Sequence, residues 1–316
     1  MGRGGRRFVT VGGADAEERE RARGVVFGLA AYLIWGSFPL YIRALQPAGA
    51  VEILGQRILW SGLCCLVVLA AGRGLTDFWV TMRRPRTLGA VTLAGLLISV
   101  NWIVYLIAVT TGRITEAALG YFLNPLVSVG LGLIVLRERL RPLQATAVAI
   151  GAVAAVVLAV EAHAVPVIPL LLAFSFGTYG LVKNRLGGRL TAVQSLTGET
   201  AVLAPAAAVV LAVVGTQGTA TFGGYGGLHA VLLASTGLMT AVPLLLFAAA
   251  ARRVTLVTVG LLQFVAPVLQ FLCALALGER LSAGRWVGFG IVWLALAVLV
   301  LDITRQGLRA RAVIDR

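Results

Sequence analysis

Two ionisable side chains stand inside long apolar stretches of the sequence, and they are the first candidates for chemistry. Arg57 lies in the stretch 52–72 and Glu199 in the stretch 194–215. A charge in an apolar segment costs about 3 kcal/mol on membrane-insertion scales, and such residues often mark a substrate or ion pathway. Arg57 could bind an anionic group, while Glu199 could bind a cationic group or carry a proton. Alternatively, the two could form an ion pair that only fixes helix packing.

Neutral polar residues form a second group of candidates within apolar stretches. They are Asn101, Tyr121, Asn124, Pro125, Gln263, Pro267 and Gln270. A proline leaves a backbone carbonyl one turn earlier without its donor, and a nearby amide can satisfy that carbonyl or a ligand. These residues therefore predict either the lining of a cavity or polar contacts between helices.

Aromatic side chains are the third group. Tyr32, Trp35, Trp60, Trp102 and Tyr179 could hold a planar or cationic ligand against their ring faces. Trp and Tyr also anchor helices at membrane interfaces. Their positions in the stretches favour a cavity role for Trp35 and Trp102, and anchoring or packing for Trp60.

The elements that must position these residues are membrane helices. The chain has 316 residues, of which 59% are hydrophobic and 13% charged, whereas a soluble domain carries about 25% charged residues. The apolar residues occur in blocks of about 20, the length that crosses a bilayer as a helix. We predict an all-α membrane protein with ten transmembrane helices over 24–45, 52–72, 87–109, 115–136, 142–160, 164–183, 194–215, 228–250, 255–277 and 284–303.

The distribution of positive charge predicts the orientation. The net charge is +14, but nearly all Lys and Arg residues fall in the two tails and in alternate loops. Arg43, Arg113, Arg280 and Arg285 are the only ones expected on the opposite side. This bias places the polar tails 1–23 and 304–316 in the cytoplasm, and it indicates membrane orientation rather than nucleic-acid binding. The Arg-, Ala-, Gly- and Val-rich composition is typical of a GC-rich bacterium, so we expect a bacterial inner membrane protein.

An internal repeat divides the chain into halves. Leu-Arg-Glu-Arg-Leu at 136–140 returns as Leu-Gly-Glu-Arg-Leu at 277–281, 141 residues later. Five predicted helices per half give the two halves opposite orientations, so 24–160 and 164–303 form an inverted repeat. Arg57 and Glu199 then become symmetry mates, and we expect them close together near the membrane midplane. Glu138 and Glu279 are expected in local ion pairs at tight turns.

The pattern resembles the drug/metabolite transporter superfamily, in particular its EamA-type ten-helix permeases of the RarD group. The resemblance covers about residues 24–303. It rests on residues 30–36, Glu52 to Leu54 with Arg57 and Trp60-Ser61, Asn101-Trp102, the run 116–125, residues 173–176 with Tyr179-Gly180, and Gly278 to Arg280. Arg137 departs from the glycine that such repeats commonly have before Glu-Arg.

The resemblance implies a secondary transporter, and the inverted repeat predicts alternating access. The polarity of the predicted cavity suits a small amphipathic metabolite or drug, such as an amino acid, and we expect export. The predicted substrate-binding residues are Trp35, Arg57, Asn101, Trp102, Tyr121, Asn124, Tyr179, Glu199 and Gln263. We expect a small-molecule substrate and the lipid bilayer as partners, with a homodimer as a further candidate. The small residues Gly151 and Ala155 suit either close helix packing or dimerisation. No cofactor or metal motif is present.

The alternatives are an intramembrane enzyme and a passive channel. An enzyme is disfavoured because neither His-Glu-x-x-His nor Gly-x-Ser-x-Gly occurs in the sequence. Its two histidines, His163 and His229, lie near the predicted outer boundaries without evident partners. A channel is disfavoured by the inverted repeat, which is typical of carriers.

Overall fold

The computed structural model describes residues 11–135, 142–161, 166–186, 190–251, 253, 262 and 264–314. The ordered elements of this part of the chain are all helices. They are α1 (Val11–Gly36), α2 (Phe38–Ala44), α3 (Ala50–Ala71), α4 (Leu75–Met82), α5 (Pro85–Thr110), α6 (Ile114–Val135), α7 (Pro142–Glu161), α8 (Val167–Leu186), α9 (Ala192–Thr216), α10 (Gly226–Ala251), α11 (Val265–Ala276) and α12 (Ala283–Ile314).

The lengths and apolar composition of the helices confirm that this is an all-α membrane protein. Five helical segments are long and apolar enough to cross a bilayer. They are α3, α5, α9, most of α10, and residues 283–302 of α12. The bent pair α1 and α2 forms a sixth candidate, and α7, α8 and α11 contain shorter apolar stretches. Large apolar side chains such as Val160, Val209 and Leu228 lie exposed on the outside of the bundle, as expected where the solvent is lipid.

Several predicted boundaries differ from the structure. Helix α1 begins at Val11, inside the stretch predicted as a polar tail, and α12 continues to Ile314. Helix α4 fills part of a predicted loop, because Phe78 and Met82 on one face pack against Leu69 and Val91. Of the predicted span 255–277, the structure describes a helix only from Val265.

The first predicted span is broken rather than continuous. Helices α1 and α2 meet at Ser37 with a bend of 45°. Pro39 has no N–H to donate to the Trp35 carbonyl four residues earlier, and this interrupts the helix. The Trp35 carbonyl instead accepts a hydrogen bond from Gln270 Nε2 of α11, at 3.2 Å. A side chain from the second half of the chain thus stabilises a break in the first.

The helices pack mainly between the two halves of the chain. The most extensive contacts join α6 with α8, α7 with α12, α3 with α9, α3 with α10, α1 with α10, and α5 with α8. A large apolar core lies where α2, α3, α5, α6, α8 and α10 meet, and it includes Phe38, Ile53, Tyr105, Leu172 and Leu233.

An ion pair connects α1 to the segment before α11. The Glu20 carboxylate binds Arg23 at 2.8 Å and Arg253 at 2.9 Å. Hydrogen bonds from Arg23 and then Arg253 hold the pKa of Glu20 below its usual value. Because the group is fully exposed, we expect this ion pair to contribute little to stability.

Candidate functional site

Arg57 lies where four helices meet. Its Nε donates to Thr240 Oγ1 of α10 at 2.9 Å. Its guanidinium carbon lies 4.1 Å from the ring centroid of Trp102 on α5 and 5.3 Å from that of Phe38 on α2. Arg57 itself is 7% exposed. Sequence reasoning selected both Arg57 and Trp102, and the structure brings them into direct cation–π contact.

Glu199 has a different set of partners. Its carboxylate accepts hydrogen bonds from Lys183 Nζ at 2.7 Å, Ser195 Oγ at 2.7 Å and Tyr179 Oη at 3.1 Å. The carboxylate is fully buried, and Lys183 supplies the opposite charge that such burial requires. The structure therefore joins Glu199 with the predicted residue Tyr179 in a cluster that spans α8 and α9.

Lys183 was missed by sequence reasoning, which counted it among the loop charges after the sixth span. It lies on α8, where its ammonium group also contacts Ser195 Oγ and stands 5.3 Å from the Tyr179 ring centroid. The spacing of these residues in the sequence could have indicated the cluster. Tyr179 and Lys183 are four residues apart, as are Ser195 and Glu199, so each pair shares one helix face.

The expected contact between Arg57 and Glu199 is not formed; among the described residues no salt bridge joins them. The packing of α3 on α9 explains the separation. Gly62 lies against Thr200 while Gly55 lies against Leu211, so the two helices run antiparallel. Glu199 therefore faces the neighbourhood of residue 63, about six residues and 9 Å along the helix from Arg57. The expectation that Arg57 and Glu199 lie close together was wrong. On two antiparallel helices, equivalent positions lie side by side only where the helices cross, and they are farther apart at a distance from that crossing.

Asn101 and Tyr121 connect three helices. Asn101 Nδ2 donates to the Leu172 carbonyl at 3.1 Å and to Ser175 Oγ at 3.0 Å, and its Oδ1 accepts from Tyr121 Oη at 3.2 Å. Asn101 is fully buried. The expectation of polar contacts between helices is thus met for this pair, which links α5, α6 and α8.

A row of aromatic rings leads from Asn101 toward Glu199. The Tyr121 ring centroid lies 6.3 Å from that of Phe176, which lies 5.8 Å from that of Tyr179. Tyr121 donates to Asn101, and Tyr179 donates to Glu199. The two polar groups are therefore the ends of one continuous aromatic row.

The remaining predicted residues lie elsewhere. The Trp35 ring packs with Tyr32 and Phe247, at centroid distances of 5.4 and 6.1 Å. Asn124 is buried, and its Oδ1 has no partner among the residues that the structure describes. Gln263 lies outside the described residues.

Two cavities open at helix ends, and neither is lined by Arg57 or Glu199. The larger, of about 470 Å³, lies between α3 and α9 and is bordered by Glu52 and Gln217. The smaller, of about 280 Å³, is lined by Pro39, Ile42, Arg43 and Glu279, among others. Arg57 and Glu199 are themselves buried, whereas the Lys183 side chain is partly exposed.

Glu279 makes a contact that sequence reasoning did not anticipate. Its carboxylate accepts hydrogen bonds from the backbone N–H groups of Ile114 and of Thr115, the latter at 2.9 Å. These donors begin α6, where a negative charge is favourable. Gly278 before it has φ +90°, a backbone conformation that favours glycine. The expected local ion pair of Glu279 is therefore replaced by a contact between the two halves, while Glu138 lies outside the described residues.

His229 has a partner after all, although not one that suits catalysis. Its Nε2 lies 2.8 Å from Thr221 Oγ1, which donates to Glu52 Oε2 at 2.9 Å. Glu52 also accepts from the backbone N–H groups of Thr221 and Phe222. The carboxylate contacts the hydroxyl and not the imidazole, so it cannot orient the imidazole as a general base requires. This network closes the turn before α10.

Gly151, expected on a face for close helix packing or dimerisation, packs against another helix of the same chain. It lies against Leu126 of α6, where an added side chain would collide. The small residue thus serves close approach of α7 to α6.

Comparison with known proteins identifies the family. The model of the EamA-like transporter family matches residues 22–160. A RarD protein of Streptomyces exfoliatus is 47% identical over 94% of this chain and 94% of its own length. This chain is an EamA-family membrane transporter of the RarD type. A RarD protein of Escherichia coli is 37% identical over 90% of this chain and 96% of its own.

A more distant relative and a solved structure are also similar to this chain. A Pseudomonas aeruginosa protein named chloramphenicol-sensitive protein RarD is 29% identical over 91% of this chain and 96% of its own. A crystal structure covers 90% of this chain and 99% of its own, with a TM-score of 0.60 at 19% identity. That structural similarity shows the shared fold alone.

Proposed function

We propose that this EamA-family protein exports a small amphipathic metabolite or drug across the bacterial inner membrane by alternating access. In this proposal ten membrane helices form two inverted repeats, 24–160 and 164–303, and both termini are cytoplasmic. The polar termini, the charge bias of the loops and the repeated motif support this arrangement.

The helix contacts support the inverted repeat. In this arrangement each helix of the first repeat has an equivalent in the second: α1 with α2 corresponds to α8, α3 to α9, α5 to α10, α6 to α11 and α7 to α12. A twofold axis that relates the repeats then exchanges the contact between α1 and α10 with the contact between α8 and α5. Both pairs are among the most extensive contacts. The same axis pairs α3 with α9 and α7 with α12, and these contacts are also extensive. This exchange is the pattern expected of inverted repeats around a central path.

The observation that carries alternating access is the Glu279 contact with the start of α6. It joins the second repeat to the first at one end of the bundle, and it borders the cavity of about 280 Å³. A bond between repeats at one end must break if the repeats rock apart there. Such a bond can therefore hold one gate closed.

The substrate path in this proposal runs along the two polar clusters and the aromatic row between them. Arg57, Trp102, Asn101, Tyr121, Tyr179 and Glu199 line it. Their mixture of ring faces, hydroxyls and charges suits an amphipathic molecule with a flat apolar part. Trp35 and Asn124 stand beside this path, and Gln263 is proposed on sequence grounds.

Purified protein in liposomes tests the proposal. Vesicles loaded with a panel of metabolites and antibiotics, chloramphenicol among them, are assayed for efflux and for counterflow against the same external solute. We expect saturable efflux and counterflow of at least one solute. Flux without saturation or counterflow would indicate a channel, and a chemically altered solute would indicate an enzyme. Absence of flux for every solute would contradict the proposed export.

A further inference from the structure

Arg57 has no negatively charged partner among the residues that the structure describes. Among the described residues no salt bridge reaches it, and its one hydrogen bond is from Nε to Thr240 Oγ1 at 2.9 Å. A guanidinium has five N–H donors, so the donors on its two terminal nitrogens bind no side chain or backbone group of the described part. Lys183, by contrast, is paired with Glu199 at 2.7 Å. The two clusters thus differ in net charge.

Cation–π contacts with Trp102 and Phe38 offset part of the cost of burying Arg57, but they supply no negative charge. A buried cation without a counter-charge destabilises the empty protein. Such a group is expected where a ligand brings the missing charge.

A second, independent observation comes from Tyr105. Its hydroxyl is buried and has no hydrogen-bond partner among the described residues. Tyr105 is 2% exposed, and its ring centroid lies 5.7 Å from that of Tyr121. Tyr105 lies one turn beyond Trp102 on α5, and the Trp102 ring centroid is 4.1 Å from the Arg57 guanidinium carbon. Tyr105 also shares one apolar core with Phe38, the other ring that contacts Arg57. An unsatisfied donor beside an unpaired cation marks a place for an acceptor with negative charge.

A cavity lies close to this place at one end of the bundle. Phe38 stands over Arg57, while its neighbour Pro39 and then Ile42 line the cavity of about 280 Å³. The short helix α2 therefore separates the cavity from Arg57. Its junction with α1 at Ser37 is already bent by 45°.

We propose that Arg57 and the Tyr105 hydroxyl form a binding site for the carboxylate of a monoanionic substrate. This inference rests on the proposed transport function and specifies its substrate class. A single guanidinium with neutral phenols balances one negative charge, whereas a phosphate dianion would leave one charge unbalanced in a buried site. Arginine binds planar carboxylates through two parallel hydrogen bonds. Trp102 then lies beside the carboxylate end of the substrate.

Thermal unfolding of the full-length protein in detergent tests the site. The probes are aliphatic and aromatic monocarboxylates, each paired with its neutral amide, and phenyl phosphate beside benzoate. We expect at least one carboxylate to raise the melting temperature while its amide does not, since a ligand stabilises the state that it binds. Equal shifts by acid and amide, a larger shift by phenyl phosphate than by benzoate, or no shift with any carboxylate would overturn the proposal.

Two variants separate recognition from folding. Arg57→Gln should weaken carboxylate binding by about tenfold or more, since a charge-assisted bond is lost. Tyr105→Phe should weaken it by about threefold. Because that hydroxyl has no partner in the ligand-free protein, Tyr105→Phe should keep or raise its melting temperature. Tyr225→Phe, an exposed phenol elsewhere, is the matched control. Unchanged carboxylate affinity in Tyr105→Phe would contradict the assigned role of the hydroxyl.

The transport assay keeps the two proposals distinguishable. Saturable counterflow restricted to neutral or cationic solutes would overturn the carboxylate site while the transport function stands. Carboxylate-specific stabilisation without any flux would contradict transport while the binding site stands.

Discussion

Removal of the Glu279 carboxylate should open one end of the bundle. In the present structure two backbone N–H groups of α6 donate to it, at Ile114 and Thr115. A hydrogen bond to a charged group contributes about 1.5–3 kcal/mol, and partial exposure reduces this value. We take about 2–3 kcal/mol for both bonds together. Loss of that energy from the closed state raises the open-to-closed ratio about 30- to 150-fold.

Cysteine labelling measures this change directly. Ile42 lines the cavity that Glu279 borders, yet it is only 2% exposed, so a cysteine there should react slowly with a maleimide in the closed protein. The native Cys64, Cys65 and Cys273 are first replaced by alanine. In the Ile42→Cys background, Glu279→Ala should speed labelling by about the same factor as the change in open population.

The neighbouring residue provides the control. Arg280 is exposed, and its replacement by alanine removes a charge at the same turn without touching α6. Glu279→Gln keeps one acceptor oxygen and should give an intermediate rate. A labelling rate in Glu279→Ala that stays within about threefold of the parent, or an equal increase in Arg280→Ala, would refute the idea that this contact holds the gate closed.

Three further predictions concern the interior. Lys183→Met should lower the free energy of unfolding by about 3–5 kcal/mol, because Glu199 is left buried without its counter-charge. Adding Glu199→Gln should restore most of the melting temperature. Additive losses in the double variant would disprove the coupling between Lys183 and Glu199. Gln270→Ala should cost about 1–2 kcal/mol, since the Trp35 carbonyl loses its donor; a denaturation curve identical to the parent would count against this role. The double exchange Arg57→Glu with Glu199→Arg should unfold or greatly destabilise the protein, because the new arginine would face Lys183; normal stability and transport would instead indicate that the two sites are interchangeable.

The helices were largely predictable because lipid imposes a simple requirement. Each apolar stretch of about 20 residues must satisfy its own backbone by forming a helix, and most described helices overlap the predicted stretches. The break at Ser37 was not predicted, although Pro39 signals it. Helix α4 was missed because it has only eight residues, far fewer than the stretch of about 20 that indicates a membrane span.

Partners of the polar residues were less predictable, since they depend on helix direction and rotation. The sequence offset identified Arg57 and Glu199 as equivalent positions but not as separate sites. Their separation follows only when the antiparallel packing of α3 and α9 is known. Likewise, the polar character of Gln270 was evident, yet its role as the donor to a carbonyl in another repeat required the fold.

Arg57 and Glu199 occupy positions that are equivalent in the proposed inverted repeat, but the two side chains have different partners. Within the described part of the chain Arg57 has no counter-charge, whereas Glu199 is paired with Lys183. A carboxylate that binds Arg57 neutralises the first cluster and makes the two alike in charge. A charge buried alone resists the loss of water. Under the proposed transport function, we therefore expect a carboxylate-loaded site to close more easily than an empty one.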